Sequence, residues 1–364
     1  MPKVFLCTIS RFLMNCHGEG SLSSLFMHFV VKKAINSWLR SMQVASGTAL
    51  PASTLHDPLA SLNRHRRFNR AVAMCLHQDP LTRDTASAIA NCARRLNLEF
   101  DLVNERLGAP SIVNGLLCNR RLCPFCEWRR TRTWRARLLN GLEAYHHEQN
   151  KSSAIFLTLT VRNCQIYELR DTIKQMHSAF KRLTLIRGFP GRAWFRRTEV
   201  TVNKGLLLGG PLLGSSLHPH IHALLLVRPS YWSRDYWPQL KWQQEWQMAA
   251  RLDYAPVIDI RRAKSRLKPC ASQRDMRIAP ILEAAKYTTK ATDLLSLGGL
   301  LPAFNSEMKH LRLYGVSGKL REYIKTREPE PEELLDLSLV EDKAQKFSAV
   351  ASWFDSIQEY QFTL

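Results

Sequence analysis

Residues 218–227 read HPHIHALLLV, and this stretch decides the fold of the region around it. Five apolar residues follow a His-x-His-x-His alternation, which fits a buried strand with His218, His220 and His222 on one face. At about 6.8 Å per two residues the three imidazoles span about 14 Å. Imidazoles on an apolar strand are costly to bury unpaired, and a metal ion removes that cost. The alternative is a solvated or hydrogen-bonded histidine row.

Upstream, AIFLTLTVR (154–162) and WFRRTEVTVN (194–203) read as two further strands. Between them, Ile166, Leu169, Ile173, Met176, Phe180 and Leu183 step by three and four, the buried stripe of a helix over 166–185. Downstream come a Trp-rich helical segment (230–252, interruptible at Pro238) and a short strand, PVIDIRR (256–262). Pro280 opens a helix expected to reach about Leu295. The order β-α-β-β-α-β predicts an α+β, ferredoxin-like domain with an antiparallel-rich sheet, helices on one face and the other face available for a ligand. If strands 194–203 and 218–227 form a hairpin, Glu199 can join the His row as a further ligand. The alternative is a surface Glu199 paired with Arg196 or Arg197. Two His, a carboxylate and open positions suit Mg²⁺ or Mn²⁺ acting on phosphate oxygens.

The rest of the chain is strongly basic. Lys plus Arg number 52 against 31 Asp plus Glu, a net charge of +21, which points to a polyanionic partner, nucleic acid above all. Residues 118–137, CNRRLCPFCEWRRTRTWRAR, hold seven Arg and one Glu. Arg120, Arg121, Arg129, Arg130 and Arg132 suit phosphate contact. Trp128 and Trp134 pack in the core or stack on bases. Cys118, Cys123 and Cys126 have zinc-knuckle-like spacing, and a closed Zn²⁺ site needs a fourth ligand. Cys92 is the first choice, with His17, Cys75 and Cys164 as rivals. Nine cysteines, three of them within nine residues, argue against a secreted disulfide framework and for a cytoplasmic, reducing setting. No apolar run is long enough to span a bilayer, so no membrane partner is expected.

The segment EAAKYTTKATD (283–293) places Glu283 and Tyr287 one helical turn apart, with Lys290 close to the phenol. A phenol becomes a useful nucleophile only with a base, metal or cation beside it.

FLTLT (156–160), HPHIH (218–222) and EAAKYTTKATD together resemble the three motifs of HUH endonucleases with one catalytic tyrosine. The chain is more closely similar to rolling-circle replication initiators of small bacterial plasmids, the Gram-positive-type Rep family. CNRRLCPFCEWRR (118–130) and RRTEVTVN (196–203) fit that family's pattern as well, and the resemblance covers roughly residues 88–295. It implies that His220 and His222 bind the metal, that Tyr287 is the nucleophile, and that Glu283 acts in ending the cycle. It implies single-stranded or hairpin origin DNA as substrate and a host helicase and polymerase as partners. A related transposase or relaxase, and a non-catalytic zinc-containing DNA-binding regulator, are the alternatives.

Four regions are expected: a variable or poorly ordered N-terminal extension (1–60), a helical basic region with the zinc-binding cysteines (61–150), the nicking domain (151–300) and a C-terminal extension with an acidic tail (301–364). Within the second region, residues 70–107 read as mostly helical. The acidic run over 328–342 reads as a solvated tail.

Overall fold

The computed structural model describes residues 59–103, 106–107, 110–149, 153–203, 216–262, 289–317, 320–325 and 345–363. The expectations for residues 1–58, Glu283, Tyr287 and the acidic run lie outside them.

Two antiparallel sheets organise these residues into an α+β fold. The central sheet holds β4 (Ser153–Thr160), β5 (Ala193–Asn203), β6 (Ser216–Val227), β7 (Ile258–Arg262) and β8 (Tyr314–Val316). Its order is β7-β4-β6-β5-β8, and every neighbouring pair is antiparallel. Pro219 is tolerated inside β6 because of where its missing N–H would point. Leu217 exchanges both backbone bonds with Cys164, and Pro219 faces the same side, past the end of β4 at Thr160.

One face of this sheet is covered by α4 (Leu169–Thr184) and α5 (Gln239–Ala250). Ile155, Leu157, Leu159, Ile221, Ala223 and Leu225 point into it and meet Met176, Phe180, Trp242 and Trp246. Burying such side chains fully contributes ~1.5–3 kcal/mol each. The opposite face is not left open, as the sequence suggested. Phe156, Phe195, Leu224 and Leu226 are covered by α3 (Pro124–Gln149) and α8 (Leu320–Lys325). Gly141 permits that covering, since a Cβ there would come within 2.7 Å of Ile324 Cγ1. The histidine end of β6 lies beyond this apolar cover.

The second sheet corrects the helical reading of residues 70–107. Helices α1 (Ala60–His77) and α2 (Arg83–Asn91) form as expected, but Arg95–Val103 is strand β1. Leu96, Leu98 and Phe100 are buried in alternation with Asn97 and Glu99, a period of two that outweighs helix propensity. The short β2 (Arg106–Leu107) and β3 (Ser111–Gly115) pair with β1. From the far end of the chain, β9 (Gln345–Phe354) pairs with β1, and β10 (Glu359–Thr363) extends the sheet. Arg66 and Arg67, from the basic run at 64–70, tie this hairpin down. Arg66 lies over the Trp353 ring at 5.1 Å, and Arg67 pairs with Glu359 at 2.8 Å.

The helix expected from Pro280 to about Leu295 is not continuous. Lys290 is extended (φ −69°, ψ 147°), and α6 (Ala291–Ser296) starts after it, followed by α7 (Leu301–Met308). Among the described residues no helix is long and apolar enough to cross a membrane.

Candidate functional site

The β5–β6 hairpin places a carboxylate beside two imidazoles. Glu199 pairs with His220 in the ladder, and Arg197 pairs with His222. Glu199 Oε2 lies 3.5 Å from His220 Nε2 and 3.0 Å from His222 Nε2, and all three side chains are largely buried. Burial alone would push the Glu199 carboxyl up, but hydrogen bonds from His220 and His222, reinforced by their charge, hold it well below the usual carboxylate range.

The surroundings orient both rings for ligation. His220 Nδ1 is 3.1 Å from the His218 carbonyl, which can only accept, so Nδ1 carries the proton. Nε2 therefore faces Glu199, to which it donates while protonated, and a metal ion would take the place of that proton on its lone pair. His222 Nδ1 is 3.1 Å from Thr158 Oγ1 on β4, and its ring stacks on Phe156 at 5.5 Å. The ligand atoms of Glu199, His220 and His222 all lie within 4.8 Å of one another, a spacing one divalent ion can bridge. His218, grouped with them by sequence, is not among these ligand atoms. Its Nδ1 pairs with Asn163 Oδ1 at 2.9 Å instead, and its ring stacks on His220.

Four cysteines converge at a second point. Asn119 adopts a left-handed conformation (φ 53°), which asparagine tolerates, and turns the chain after Cys118. Pro124 then opens α3, so Cys123 and Cys126 sit at the start of that helix. Cys92 comes from the end of α2, just before Ala93 at φ 58°. Cys92 Sγ is 3.5 Å from Cys126 Sγ, and Cys118 Sγ is 3.7 Å from it. A tetrahedral Zn²⁺ with Zn–S of about 2.3 Å sets sulfurs about 3.8 Å apart, so the four thiols fit that ion. Hydrogen bonds from Cys123, Cys126 and Cys92 hold the Cys118 thiol well below its ordinary value, while burial pushes Cys123 up. Four adjacent thiols do not all ionise without a cation. Among the rivals for fourth ligand, Cys75 and Cys164 are free thiols outside this group, and His17 lies outside the described residues.

Several of the arginines read as phosphate contacts also have internal partners. Arg121 donates to the Leu311 carbonyl at 2.7 Å, Arg130 pairs with buried Glu127, and Arg132 lies over the Trp128 ring. Arg120 is exposed and Arg129 half-buried. Trp128 is core, whereas Trp134 is half-buried and stacks on Tyr314 at 5.1 Å. Lys290 is exposed at the rim of a 300 Å³ cavity that Arg64, His65 and Arg121 also line. Sequence reading missed the ion pair beneath the metal face, where fully buried Arg197 lies 3.8 Å from Glu127. The only signal was an arginine two positions before Glu199, on the same face of β5.

Residues 110–361 match the profile of a family described as "Replication protein". The chain belongs to that family. The match takes in Cys118, Cys123 and Cys126, the Glu199–His220–His222 face and the C-terminal hairpin, so it runs well beyond residue 295, where the motif resemblance stopped. A curated relative called Protein rep, from Bacillus amyloliquefaciens, is 31% identical over 309 residues, covering 76% of this chain and 84% of the relative. Another Protein rep, from a Bacillus species, is 33% identical over 58% of this chain and 67% of its own length. A third, from Streptococcus pneumoniae, is 33% identical over 51% and 55%. No solved structure matches the chain.

Proposed function

We propose that this replication protein nicks one strand of a plasmid origin and starts rolling-circle replication from the nick. The observation that carries the reading is the convergence of Glu199, His220 and His222 on one face of an antiparallel sheet. The strand order β7-β4-β6-β5 supports the ferredoxin-like, HUH form of that sheet.

Glu199, His220 and His222 would hold Mg²⁺ or Mn²⁺, which when bound supplies positive charge to a non-bridging phosphate oxygen. Tyr287 Oη attacks the scissile phosphorus. A bond forms from the phenol oxygen to the 5′ phosphate as the bond to the 3′ oxygen breaks; the phenol gives its proton to solvent, and the departing oxygen takes one from solvent to become the 3′-OH primer. The phosphotyrosine keeps the energy of the broken phosphodiester, so no nucleoside triphosphate is needed for the cut. Lys290 supplies positive charge near the phenol, and Glu283 activates water for the closing cut. The four cysteines hold Zn²⁺ and fold the arginine-rich start of α3 as a DNA-contacting unit. The work takes place in the cytoplasm, where a host helicase and polymerase extend the primer.

Supercoiled plasmid carrying the DNA that flanks this coding sequence tests the reading. Open circles formed with Mn²⁺ and not with EDTA support it. Supercoils left intact under both conditions contradict it.

A further inference from the structure

A larger cavity, of 780 Å³, runs along edge strand β8. Its walls carry Arg121, Arg130, Arg137, Arg196, Arg312 and Arg321, against a single carboxylate among the described residues, Glu127. That carboxylate is already engaged by Arg130 and lies beside Arg197. Arg121 and Arg321 donate to the carbonyls of Leu311 and Val316, which orient the guanidinium groups without neutralising them.

Arg196 is the informative member. It is only 9% exposed, and its Nη1 is buried with no hydrogen-bond acceptor. Gly315, opposite it on β8, is where a Cβ would sit 3.1 Å from Arg196 Nε, so the edge strand leaves this guanidinium its room. Burial, and then the charge of Arg312, lower Arg196 to about 10. A buried cation short of acceptors beside a second cation is unfavourable unless an anion joins them. Trp134 and Trp194 add flat aromatic walls to the same cavity.

We propose that this cavity is a phosphate subsite that grips the backbone of single-stranded DNA. The proposal rests on the reading of DNA as substrate and adds a place where the strand is held away from the scissile phosphate. Arg196 is three residues from Glu199 on β5, about 10 Å along the strand, and points to the opposite face of the sheet, but the cavity also takes in Glu127 and Trp134 from the α3 side. A DNA segment held along the β8 edge can therefore pass round it and set which phosphate reaches the metal face. Guanidinium groups and aromatic walls suit phosphate oxygens and stacked bases, and they favour a single strand over a duplex.

The test uses the full chain without added Mg²⁺ or Mn²⁺, which leaves the zinc site intact and is expected to allow no cleavage, and a fluorescein-labelled single-stranded 20-mer read by anisotropy across a KCl series. Arg312 and Arg321 are exposed, so the double substitution Arg312→Gln/Arg321→Gln leaves the core untouched. It is expected to weaken binding about tenfold at low salt and to flatten the log Kd against log salt slope by ~1.4, two single-strand phosphate contacts. Arg196→Gln is expected to lose affinity while melting no lower than wild type. An unchanged slope in the folded double variant overturns the proposal. So does inorganic pyrophosphate binding that the substitutions abolish while the 20-mer slope stays as in wild type, because the cavity would then hold a free anion and not DNA. The same preparations, given Mn²⁺, keep the two readings apart. A wild-type covalent adduct with an unchanged variant slope removes only the subsite, and a flattened slope with no adduct removes only the nicking reaction.

Discussion

Glu199 Oε2 is closer to His222 Nε2, at 3.0 Å, than to His220 Nε2, at 3.5 Å, although His220 and not His222 is its partner in the β5–β6 ladder. The carboxylate leans diagonally across the hairpin and joins both rings through one oxygen. Two strands thus deliver three ligand atoms at one point, with Thr158 and the His218 carbonyl fixing the far sides of the rings.

Glu199→Gln keeps the shape of this cluster and removes its only negative charge. Mn²⁺ affinity, followed by titration with spectroscopic detection of the free ion, is expected to fall at least ~10–100-fold, the range seen for losing even an outer-shell partner. Metal affinity equal to wild type would place the ion elsewhere.

Cys92→Ser tests the second centre. Wild-type protein is expected to carry about one tightly bound zinc, and the variant to lose it together with thermal stability, because a closed zinc site contributes directly to folding. Cys92 is 1% exposed, so no surface thiol can easily stand in for it. Full zinc content by elemental analysis of the variant would remove Cys92 from the ligand set.

Part of the pH dependence of stability follows from two half-buried histidines. Burial, and then Arg196, lower His177 to about 3, and burial, then Arg64 and Arg132, lower His65 to about 4. Both folded values lie below the unfolded value of about 6.5, so the unfolded chain binds the protons first as pH falls. Their contribution is fully present above about pH 6.5 and is lost progressively towards pH 3–4. By pH 5 the loss is on the order of 1–2 kcal/mol for each histidine. Urea midpoints at pH 7, 6 and 5 should fall in that order. His177→Gln, which keeps a donor for Thr198, should flatten the trend, and an equally steep trend would contradict the assignment.

Glu283→Ala is expected to separate starting from stopping. On the proposed function Tyr287 would be occupied by DNA when the regenerated origin is cut again, so the closing cut would need water and a base. The variant should nick at the normal rate and give products longer than one plasmid unit. Unit-length circles released at the wild-type rate would assign Glu283 to a helix-surface ion pair, which stabilises by only ~0.3–0.5 kcal/mol.

Much of the central sheet was legible because its strands and helices carry clean periods. The apolar face of β6 and the stripe from Ile173 to Leu183 can be assigned from residue spacing alone. The cysteine trio was legible from its spacing, and Cys92 joins it across the fold. Strand β1 was misread because LNLEF follows a helical run without a glycine or proline break, and the turn falls on Ala93 at positive φ. Its partner β9 shows the alternation Phe347, Ala349, Ala351 and Trp353, but a strand so far along the chain acquires meaning only once β1 is recognised. The turning of His218 towards Asn163 depends on a loop residue that periodicity does not describe. The cover of α3 and α8 over the second face, and the cavity beside β8, arise from contacts between distant segments.

The central claim is that Tyr287 becomes covalently joined to DNA. The direct measurement is mass spectrometry of tryptic peptides after wild-type protein is incubated with origin-bearing supercoiled plasmid and Mn²⁺, then nuclease-trimmed. The account predicts a nucleotide phosphate on the peptide containing Tyr287, and no adduct from Tyr287→Phe protein that still binds the same DNA. An adduct on Tyr314 or Tyr323, or DNA nicked by the Tyr287→Phe variant with a protein-linked end, would contradict it.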